Sequence, residues 1–457
     1  MNERQAPPGL MISVAGIRGI VGESLTPDVV ARFAAAFARE APAGAIVVGR
    51  DARTTGPLVL AAVTAGLTGA GRDVIDLGLA TTPTVEIAVE HLGAAGGVII
   101  TASHNPAPWN ALKFLSDRGE FLDARAGAAV RARFESDASP WAAWNAIGHV
   151  RSESDALAWH LERVLALDVV EAEAIRARGL HVVVDGCRSV GGVAAPALLA
   201  ELGVRVTPLD CEPDGAFTRE LEPLPEHLTA LSRAVRAARA DFGVAFDPDA
   251  DRAALVDADG IAVGEEYTVA LGTQTVLAQR PGPVVTNLST SLMMEAVSAH
   301  AGVALHRTPV GEAHVVEAMH RVGAVAGGEG NGGMILPAAH HGRDGLVAVA
   351  LALQAMSHGA SLRALVDALP RYAMVKRKFP LAGGSWQHMA PRLRGRFADW
   401  ALNTDDGLRF SRDGEWVHVR PSGTEPVFRV IAETATESRT RELVEQARAA
   451  VGAPQEG

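Results

Sequence analysis

Three times along the 457-residue chain, a strand-like apolar run that opens on glycine leads directly into a polar loop. Gly97-Val-Ile-Ile-Thr101 meets Ser103-His104-Asn105, Gly243-Val-Ala-Phe246 meets Asp247, and Gly323-Ala-Val-Ala326 meets Gly328-Glu329. Short apolar runs alternate with amphipathic helical patterns around them, so the expected class is α/β with largely parallel sheets. The expected strands are residues 45–48, 73–77 and 97–101 in a first block and 181–185, 204–208 and 243–246 in a second. A third block has 284–287, 304–307 and 324–326. Thr26-Pro27 reads as a helix start, with Val29, Val30, Phe33 and Phe37 following at helical spacing. Ligands of parallel α/β sheets gather at the C-terminal ends of strands, so the three loops are placed to converge on one cleft. Their unequal spacing fits diverged domains better than a short-period solenoid.

After about residue 370 the pattern changes. Residues 372–379, 408–411, 416–419 and 428–432 read as strands, with a closing helix over 437–451, which makes a smaller α+β domain. Gly383-Gly384-Ser385 reads as a turn, and residues 136–154 as a linker whose Trp141 and Trp144 pack on a surface. Length alone suggests three domains at about 150 residues each. The pattern sharpens this to four, at 1–150, 151–256, 257–370 and 371–457.

Composition narrows the partners. The chain has 42 Lys plus Arg against 53 Asp plus Glu, a net charge of −11, and only 5% aromatic residues. That balance disfavours broad binding to nucleic acid, and an anion would have to be held by local clusters of cations. Two cysteines, Cys187 and Cys211, make no disulfide framework, so a reducing cytoplasm is the expected location. Met1 to Pro8 is polar and proline-bearing, with no apolar h-region, and the longest apolar run, 346–353, falls short of the roughly 18–20 residues that span a bilayer. No membrane partner is expected.

Asp247-Pro-Asp-Ala-Asp251-Arg252 is the most informative stretch. Three carboxylates at alternating positions after a strand offer hard oxygen ligands suited to Mg²⁺ or a similar divalent ion. An EF-hand would need glycine where Arg252 stands and glutamate where Ala258 stands. Arg252 suits the charged oxygens of a phosphate. Read alone, the stretch also fits a solvated acidic turn.

Thr101-Ala-Ser-His-Asn-Pro106 likewise fits an N-cap or an Asn-Pro turn as well as a nucleophile. Lys113 shifts that reading, because the chain has only three lysines, Lys113, Lys376 and Lys378. A chain that otherwise uses arginine keeps a titratable amine here, as proton transfer requires. Gly327-Gly-Glu-Gly-Asn-Gly-Gly333 carries Glu329 and Asn331 as its polar side chains and no Walker Lys-Ser/Thr, so it suits sugar hydroxyls, or a surface turn, better than phosphate. Arg420-Pro-Ser-Gly-Thr424-Glu-Pro, with Arg429 on the next strand, has the composition of an anion nest or of a tight turn.

In this order the four loops closely resemble those of the α-D-phosphohexomutase superfamily, over nearly the whole chain from Val14-Ala-Gly-Ile-Arg18-Gly19 to Arg429. Gly49-Arg-Asp-Ala-Arg53 and Glu222-Pro-Leu-Pro-Glu226 look like further landmarks of that family. The resemblance implies three similar mixed α/β domains and a C-terminal α+β domain around a central cleft. It makes Ser103 the serine that carries a transferable phosphoryl group, and Asp247, Asp249 and Asp251 the holders of Mg²⁺ together with the Ser103 phosphate. Arg18, His104, Lys113 and Arg252 fall at the phosphoserine, with Lys113 as general acid/base. Glu329 and Asn331 match the sugar-binding loop, and Thr308 and Gly311 a loop that senses sugar orientation. Arg420, Ser422, Gly423, Thr424 and Arg429 match the loop holding the phosphate that is not being transferred. The implied activity moves phosphate between C6 and C1 of a hexose phosphate through a phosphoserine and a 1,6-bisphosphate. A sugar 1,6-bisphosphate would be the primer, Mg²⁺ the cofactor, and a monomer or homodimer the assembly.

Many bacterial members carry Ser and then His where this chain has Asn331 and Gly333. The form found here looks more like archaeal-type and related bacterial members assigned as phosphoglucosamine mutases. Glucosamine 6-phosphate is therefore the expected substrate, with mannose or glucose phosphates as the alternative. The missing His leaves one contact unassigned, for which His341 and Arg343 are candidates. A phosphotransferase with an aspartyl nucleophile would usually show Thr or Val where Asp251 stands. A non-catalytic sugar-phosphate-binding protein would be expected to lose Ser103, Lys113 or an Asp ligand, and all are kept.

Overall fold

A computed structural model of the chain describes residues 6–136, 141–380, 386–421 and 427–452. Each of the three polar loops follows the third strand of a parallel set. In the first domain Ile46–Arg50 lies between Val74–Leu79 and Gly96–Ile100. In the second, His181–Asp185 lies between Arg205–Leu209 and Phe242–Phe246. In the third, Val284–Asn287 lies between Leu305–Thr308 and Ala326–Glu329. The expected strands all form, with ends shifted by a few residues.

The apolar pattern does not reveal the strand that follows each loop. Trp109–Leu115, Ala253–Asp257 and Gly333–Ile335 each return antiparallel to the third strand. All three sheets thus share one order: return strand, third, first, second. This makes them mixed, and it makes every functional loop a hairpin connection pinned at both ends by a ladder. The first sheet grows to seven strands by adding Met11–Ser13 and Gly16–Ile20 on one edge and Val150–Ser152 on the other.

The fourth domain is a five-stranded antiparallel sheet in the order Ala373–Pro380, Val427–Thr434, Glu415–Pro421, Leu408–Arg412, Ala401–Asn403. Helices Trp386–Arg396 and Glu437–Val451 cover one face, closing a core around Phe379, Phe410 and Phe428. The expected turn at Gly383-Gly384-Ser385 lies outside the described residues, as does part of the linker. Ala142 of that linker donates its backbone N–H to Gly69, so the segment does lie along helix Gly56–Gly69. Trp144 does not pack as expected. Its side chain stands in a one-turn 3₁₀ segment and is 88% exposed.

Helix Gly345–Met356 contains the longest apolar run and is buried on almost every side. Asp344 caps it, accepting from the backbone N–H of Leu346 (2.8 Å) and Val347 (3.2 Å). Around this helix one continuous core runs from Val182 and Phe246 of the second domain to Val284 and Met334 of the third. Each such side chain contributes about 1.5–3 kcal/mol when fully buried, so apolar packing fixes these two domains against each other. The first domain has separate cores on its two sheet faces, around Phe33, Phe37 and Phe114 and around Val47, Val85 and Ile99. Among the described residues no helix is long and apolar enough to cross a membrane.

Candidate active site

The serine loop is built on an arginine staple. Ser103 takes a left-handed backbone (φ 49°), a conformation that costs a non-glycine residue about 1–3 kcal/mol and persists only where its surroundings impose it. Arg53, 1% exposed, supplies the constraint. Its Nη2 donates to the carbonyls of Ser103 (2.5 Å) and Asn105 (2.6 Å), and its Nη1 to those of Pro106 and Trp109 (both 3.0 Å). Asp51 anchors that guanidinium at 3.2 Å and accepts from the Thr101 hydroxyl at 2.6 Å, and Thr101 Oγ1 in turn accepts from the Ser103 N–H at 2.9 Å. The landmark around Arg53 is thus what shapes the loop.

Ser103 Oγ donates to Asp247 Oδ2 at 2.8 Å and accepts from Arg252 Nη2 at 3.0 Å. The same arginine donates to Asp247 Oδ2 (2.8 Å) and to His104 Nδ1 (2.9 Å), and reaches Glu222 at 3.6 Å. His104 lies 3.5 Å from Ser103 Oγ. The residue is exposed toward the cleft, yet desolvation of its ring among the surrounding groups, then the charges of Arg252 and Arg18, hold its pKa well below the usual imidazole range. His104 is therefore neutral, and as Nδ1 accepts from Arg252 its proton sits on Nε2. Arg18, on the strand beside the Lys113 strand, donates to Asn105 Oδ1.

Asp247, Asp249 and Asp251 are fully buried, and one carboxylate oxygen from each lies within 4.8 Å of the others. Their remaining oxygens are engaged. Asp249 Oδ2 accepts from Lys113 Nζ (2.7 Å) and Thr82 Oγ1 (2.8 Å), and Asp251 Oδ2 from Arg343 Nη2 (2.5 Å). The three Oδ1 atoms have no hydrogen-bond partner among the described residues. Orphaned buried carboxylate oxygens are costly unless a cation balances them, and three hard oxygens fit a Mg²⁺-class ion. Electrostatics agree. Burial, opposed by Arg252 but reinforced by Asp251 and Asp249, lifts Asp247 well above the usual carboxylate range. Lys113 and Thr82 hold Asp249 below that range in spite of burial. Burial works against the charge on Lys113, yet Asp249 and Asp251 outweigh it and raise its pKa, so the amine rests as a cation.

The sugar-loop candidates face the same space. Glu329 Oε1 accepts from Asn287 Nδ2 (2.8 Å) and the N–H of Gly311 (3.0 Å), and Oε2 from Arg343 Nη1 (2.9 Å). Asn331 Oδ1 accepts from the N–H of Gly333 at 3.2 Å. Thr308 donates its hydroxyl to the carbonyl of Pro309 and does not line the cleft. Arg343 takes the central place: it touches Asp251, Glu329 and, through Nε at 3.0 Å, Glu312. Sequence reading left it as one of two candidates for the missing His contact and passed over Glu312. The other candidate, His341, stacks on His320.

A cleft of about 930 Å³ collects Arg18, Ser103, His104, Lys113, Arg252, Gly311, Glu329, Asn331 and Arg343. Its size suits a small polar ligand. Arg420 and Arg429 do not line it. They pair across neighbouring strands of the fourth domain, where Arg420 lies 3.2 Å from Asp406. Asp406 also accepts from the N–H of Val310 at 3.1 Å, which ties this domain to the Thr308–Gly311 loop. Ser422, Gly423 and Thr424 lie outside the described residues.

Three mixed α/β units and an α+β unit, with a buried serine, an acidic triad and clustered cations in one cleft, define a phosphotransferase isomerase of the hexose-phosphate class. The chain belongs to the phosphoglucomutase/phosphomannomutase family of the α-D-phosphohexomutase superfamily, whose models match over α/β/α domain I (residues 10–140), domain II (159–260), domain III (264–372) and the C-terminal domain (390–450). It is 36% identical over 448 residues to a phosphoglucomutase/phosphomannomutase of Thermococcus kodakarensis, covering 96% of this chain and 97% of the relative. It is 36% identical over 442 residues to a probable phosphoglucosamine mutase of Methanopyrus kandleri, covering 95% and 96%. A solved phosphoglucomutase/phosphomannomutase family protein of Burkholderia thailandensis superposes with a TM-score of 0.83 at 25% identity, covering 97% of this chain and 99% of that one.

Proposed function

We propose that the enzyme interconverts glucosamine 6-phosphate and glucosamine 1-phosphate through a phosphorylated Ser103 and a 1,6-bisphosphate held in the cleft. One observation carries this reading. Ser103 Oγ lies between the Asp247 carboxylate and the Arg252 guanidinium, in the same cleft as Glu329 and Asn331. Phosphoryl transfer is catalysed by positioning and charge neutralisation, and both are supported by residues held in a buried network.

Arg18 and Arg252 face the phosphoryl oxygens, and Asp247, Asp249 and Asp251 would hold Mg²⁺, which when bound supplies further positive charge there. The C1 hydroxyl of the 6-phosphate attacks the phosphorus of phospho-Ser103. The new P–O1 bond forms as the P–Oγ bond breaks. The hydroxyl proton ends on Oγ with Lys113 as carrier, and the second half runs the same exchange at C6 in reverse. Glu329 and Asn331 hold the sugar, with Thr308 and Gly311 in the neighbouring loop. Arg420 and Arg429, with Ser422, Gly423 and Thr424, would hold the phosphate at rest from the fourth domain, beyond the lining of the cleft around Ser103. Because either end of the sugar must reach Ser103, the bisphosphate turns over within the cleft, and a sugar 1,6-bisphosphate primes the unphosphorylated enzyme. The glucosamine assignment rests on the Asn331 and Gly333 form of the sugar loop; mannose and glucose phosphates are the alternative.

The test combines intact-mass analysis with turnover of glucosamine, mannose and glucose 6-phosphates in Mg²⁺, each primed with its own 1,6-bisphosphate. Expected are one phosphoryl group on Ser103, its loss along with activity in Ser103→Ala, and preference for the amino sugar. A phosphoryl group trapped on an aspartate, or full activity in Ser103→Ala, overturns the mechanism. Preference for a neutral hexose overturns the substrate alone.

A further inference from the structure

Besides the aspartate triad, a second group of metal-capable side chains stands at one end of the cleft. Glu120, His320 and His341 each present a donor atom, and these atoms lie within 4.8 Å of one another. They come from three separate segments. Glu120 follows the Lys113 strand of the first domain, its carbonyl accepting from the N–H of Ser116 at 2.8 Å. His320 sits in the last turn of helix Glu312–Val322, and His341 lies between strand Gly333–Ile335 and helix Gly345–Met356, both in the third domain. His320 Nε2 is 2.7 Å from Glu120 Oε1, and the two imidazoles stack with centroids 4.0 Å apart. Arg118 binds the other oxygen, Oε2, at 2.9 Å, which orients the carboxylate with Oε1 toward the histidines. The side chain of His320 is 40% exposed, so ions reach the group from solvent.

We propose that Glu120, His320 and His341 form a second metal site, of zinc-class selectivity, that fastens the first domain to the third at the mouth of the cleft. The donor set argues for the ion. Two imidazole nitrogens and one carboxylate match three-ligand zinc centres, whereas Mg²⁺ favours oxygen alone. Donors about 2.0–2.2 Å from a tetrahedral ion stand about 3.5 Å from each other, so changes of roughly 1 Å in the donor separations complete the site. A fourth position stays open to water. The placement argues for the consequence. Among the described residues no shared apolar core runs between the first and third domains as it does between the second and third, so an ion held from both sides adds a cross-link where packing adds little.

Full-length, untagged enzyme is titrated with Co²⁺ in excess Mg²⁺, followed by visible absorption and by thermal melting with Zn²⁺ as competitor. The parent and Asp247→Asn are expected to take up one equivalent of Co²⁺ with the band of a nitrogen-ligated ion, displaced by Zn²⁺, and Zn²⁺ raises the melting temperature of both. His320→Ala and Glu120→Gln weaken uptake by about tenfold or more and abolish the rise. A parent that shows no such band, or a His320→Ala/His341→Ala variant that keeps it, overturns the site. Uptake without a rise in melting temperature overturns the fastening.

Discussion

Arg343 and Gly333 share one volume: a Cβ on Gly333 would stand 2.3 Å from Arg343 Cδ. The glycine is therefore the space through which the arginine stem passes to reach Asp251 on one side and Glu329 on the other. At the position where the resemblance sets a histidine of many bacterial members against Gly333, this chain places the flank of a guanidinium that joins the acidic triad to the sugar loop.

Replacing Gly333 should therefore act through Arg343. Gly333→Ala displaces the arginine and is expected to lower kcat/KM by about 100-fold, the scale of a 1 Å misplacement near the reacting groups. Arg343→Ala should cost at least as much, because it also leaves Glu312 and Glu329 buried without their cation. The double variant should be no worse than Arg343→Ala alone. Steady-state kinetics check this, and losses that add would separate the two residues.

Asp247 gives a prediction about metal removal. Burial, opposed by Arg252 but reinforced by Asp251 and Asp249, disfavours its charge, so a carboxylate charge there destabilises the metal-free protein. Asp247→Asn is expected to raise the melting temperature of chelated protein, because the amide fills the same place without a charge that burial disfavours. The parent should gain stability with Mg²⁺, about 2.7 kcal/mol at a hundred times Kd, and the variant should gain much less. Calorimetry with and without chelator reads both effects, and equal Mg²⁺ responses would count against the triad as the metal holder.

The loops were legible in the sequence because polar residues directly after apolar runs are a local signal. Ser103, Asp247 and Glu329 could be located without knowing any partner. Arg53 could not be understood that way. Its four-carbonyl staple exists because strand Ile46–Arg50 lies beside Gly96–Ile100, a pairing of residues about fifty positions apart. The return strands escaped for a similar reason. Gly333–Ile335 is three residues long and is a strand only through its ladder with Ala326–Glu329. The apolar run of helix Gly345–Met356 was plain, but its burial between two domains is a property of the assembled core. Trp144 marks the opposite error, a large apolar side chain expected to pack that stays in solvent.

A buried polar chain crosses three domains behind the cleft and should make stability depend on pH. His160 Nε2 and His340 Nε2 both reach Asp344 Oδ2, at 2.8 and 3.1 Å, and His340 Nδ1 stands 3.3 Å from Glu86 Oε2. Burial, against the pull of His340, lifts Glu86 from 4.5 to about 8. Burial would strip the proton from His340, but Asp344 and Glu86 prevail and raise it from 6.5 to about 10. Both groups hold protons that the unfolded chain releases, so stability falls as pH rises, from 4.5 to about 8 for Glu86 and from 6.5 to about 10 for His340. Melting temperature should decline across that range, and Glu86→Gln should remove most of the fall below pH 8. Thermal scans at stepped pH test this, and an unchanged slope in the variant would remove Glu86 from the account.

The fourth domain carries a row of cations whose cost and use have opposite signs. Lys378, Arg429 and Arg420 are directly opposed on three adjacent strands, and so share the face turned away from the helices. Like charges so placed destabilise a sheet by roughly 0.2–1 kcal/mol per pair, and an anion bound over the row would relieve them. Lys378→Ala should therefore leave the ligand-free protein as stable as the parent or slightly more so. The same change should raise KM for the sugar phosphate several-fold, with little effect on kcat, since Lys378 is exposed and does not line the cleft around Ser103. Inorganic phosphate should raise the parent melting temperature more than that of the variant. A loss of kcat at unchanged KM would show that the row acts on the chemical step instead of on binding.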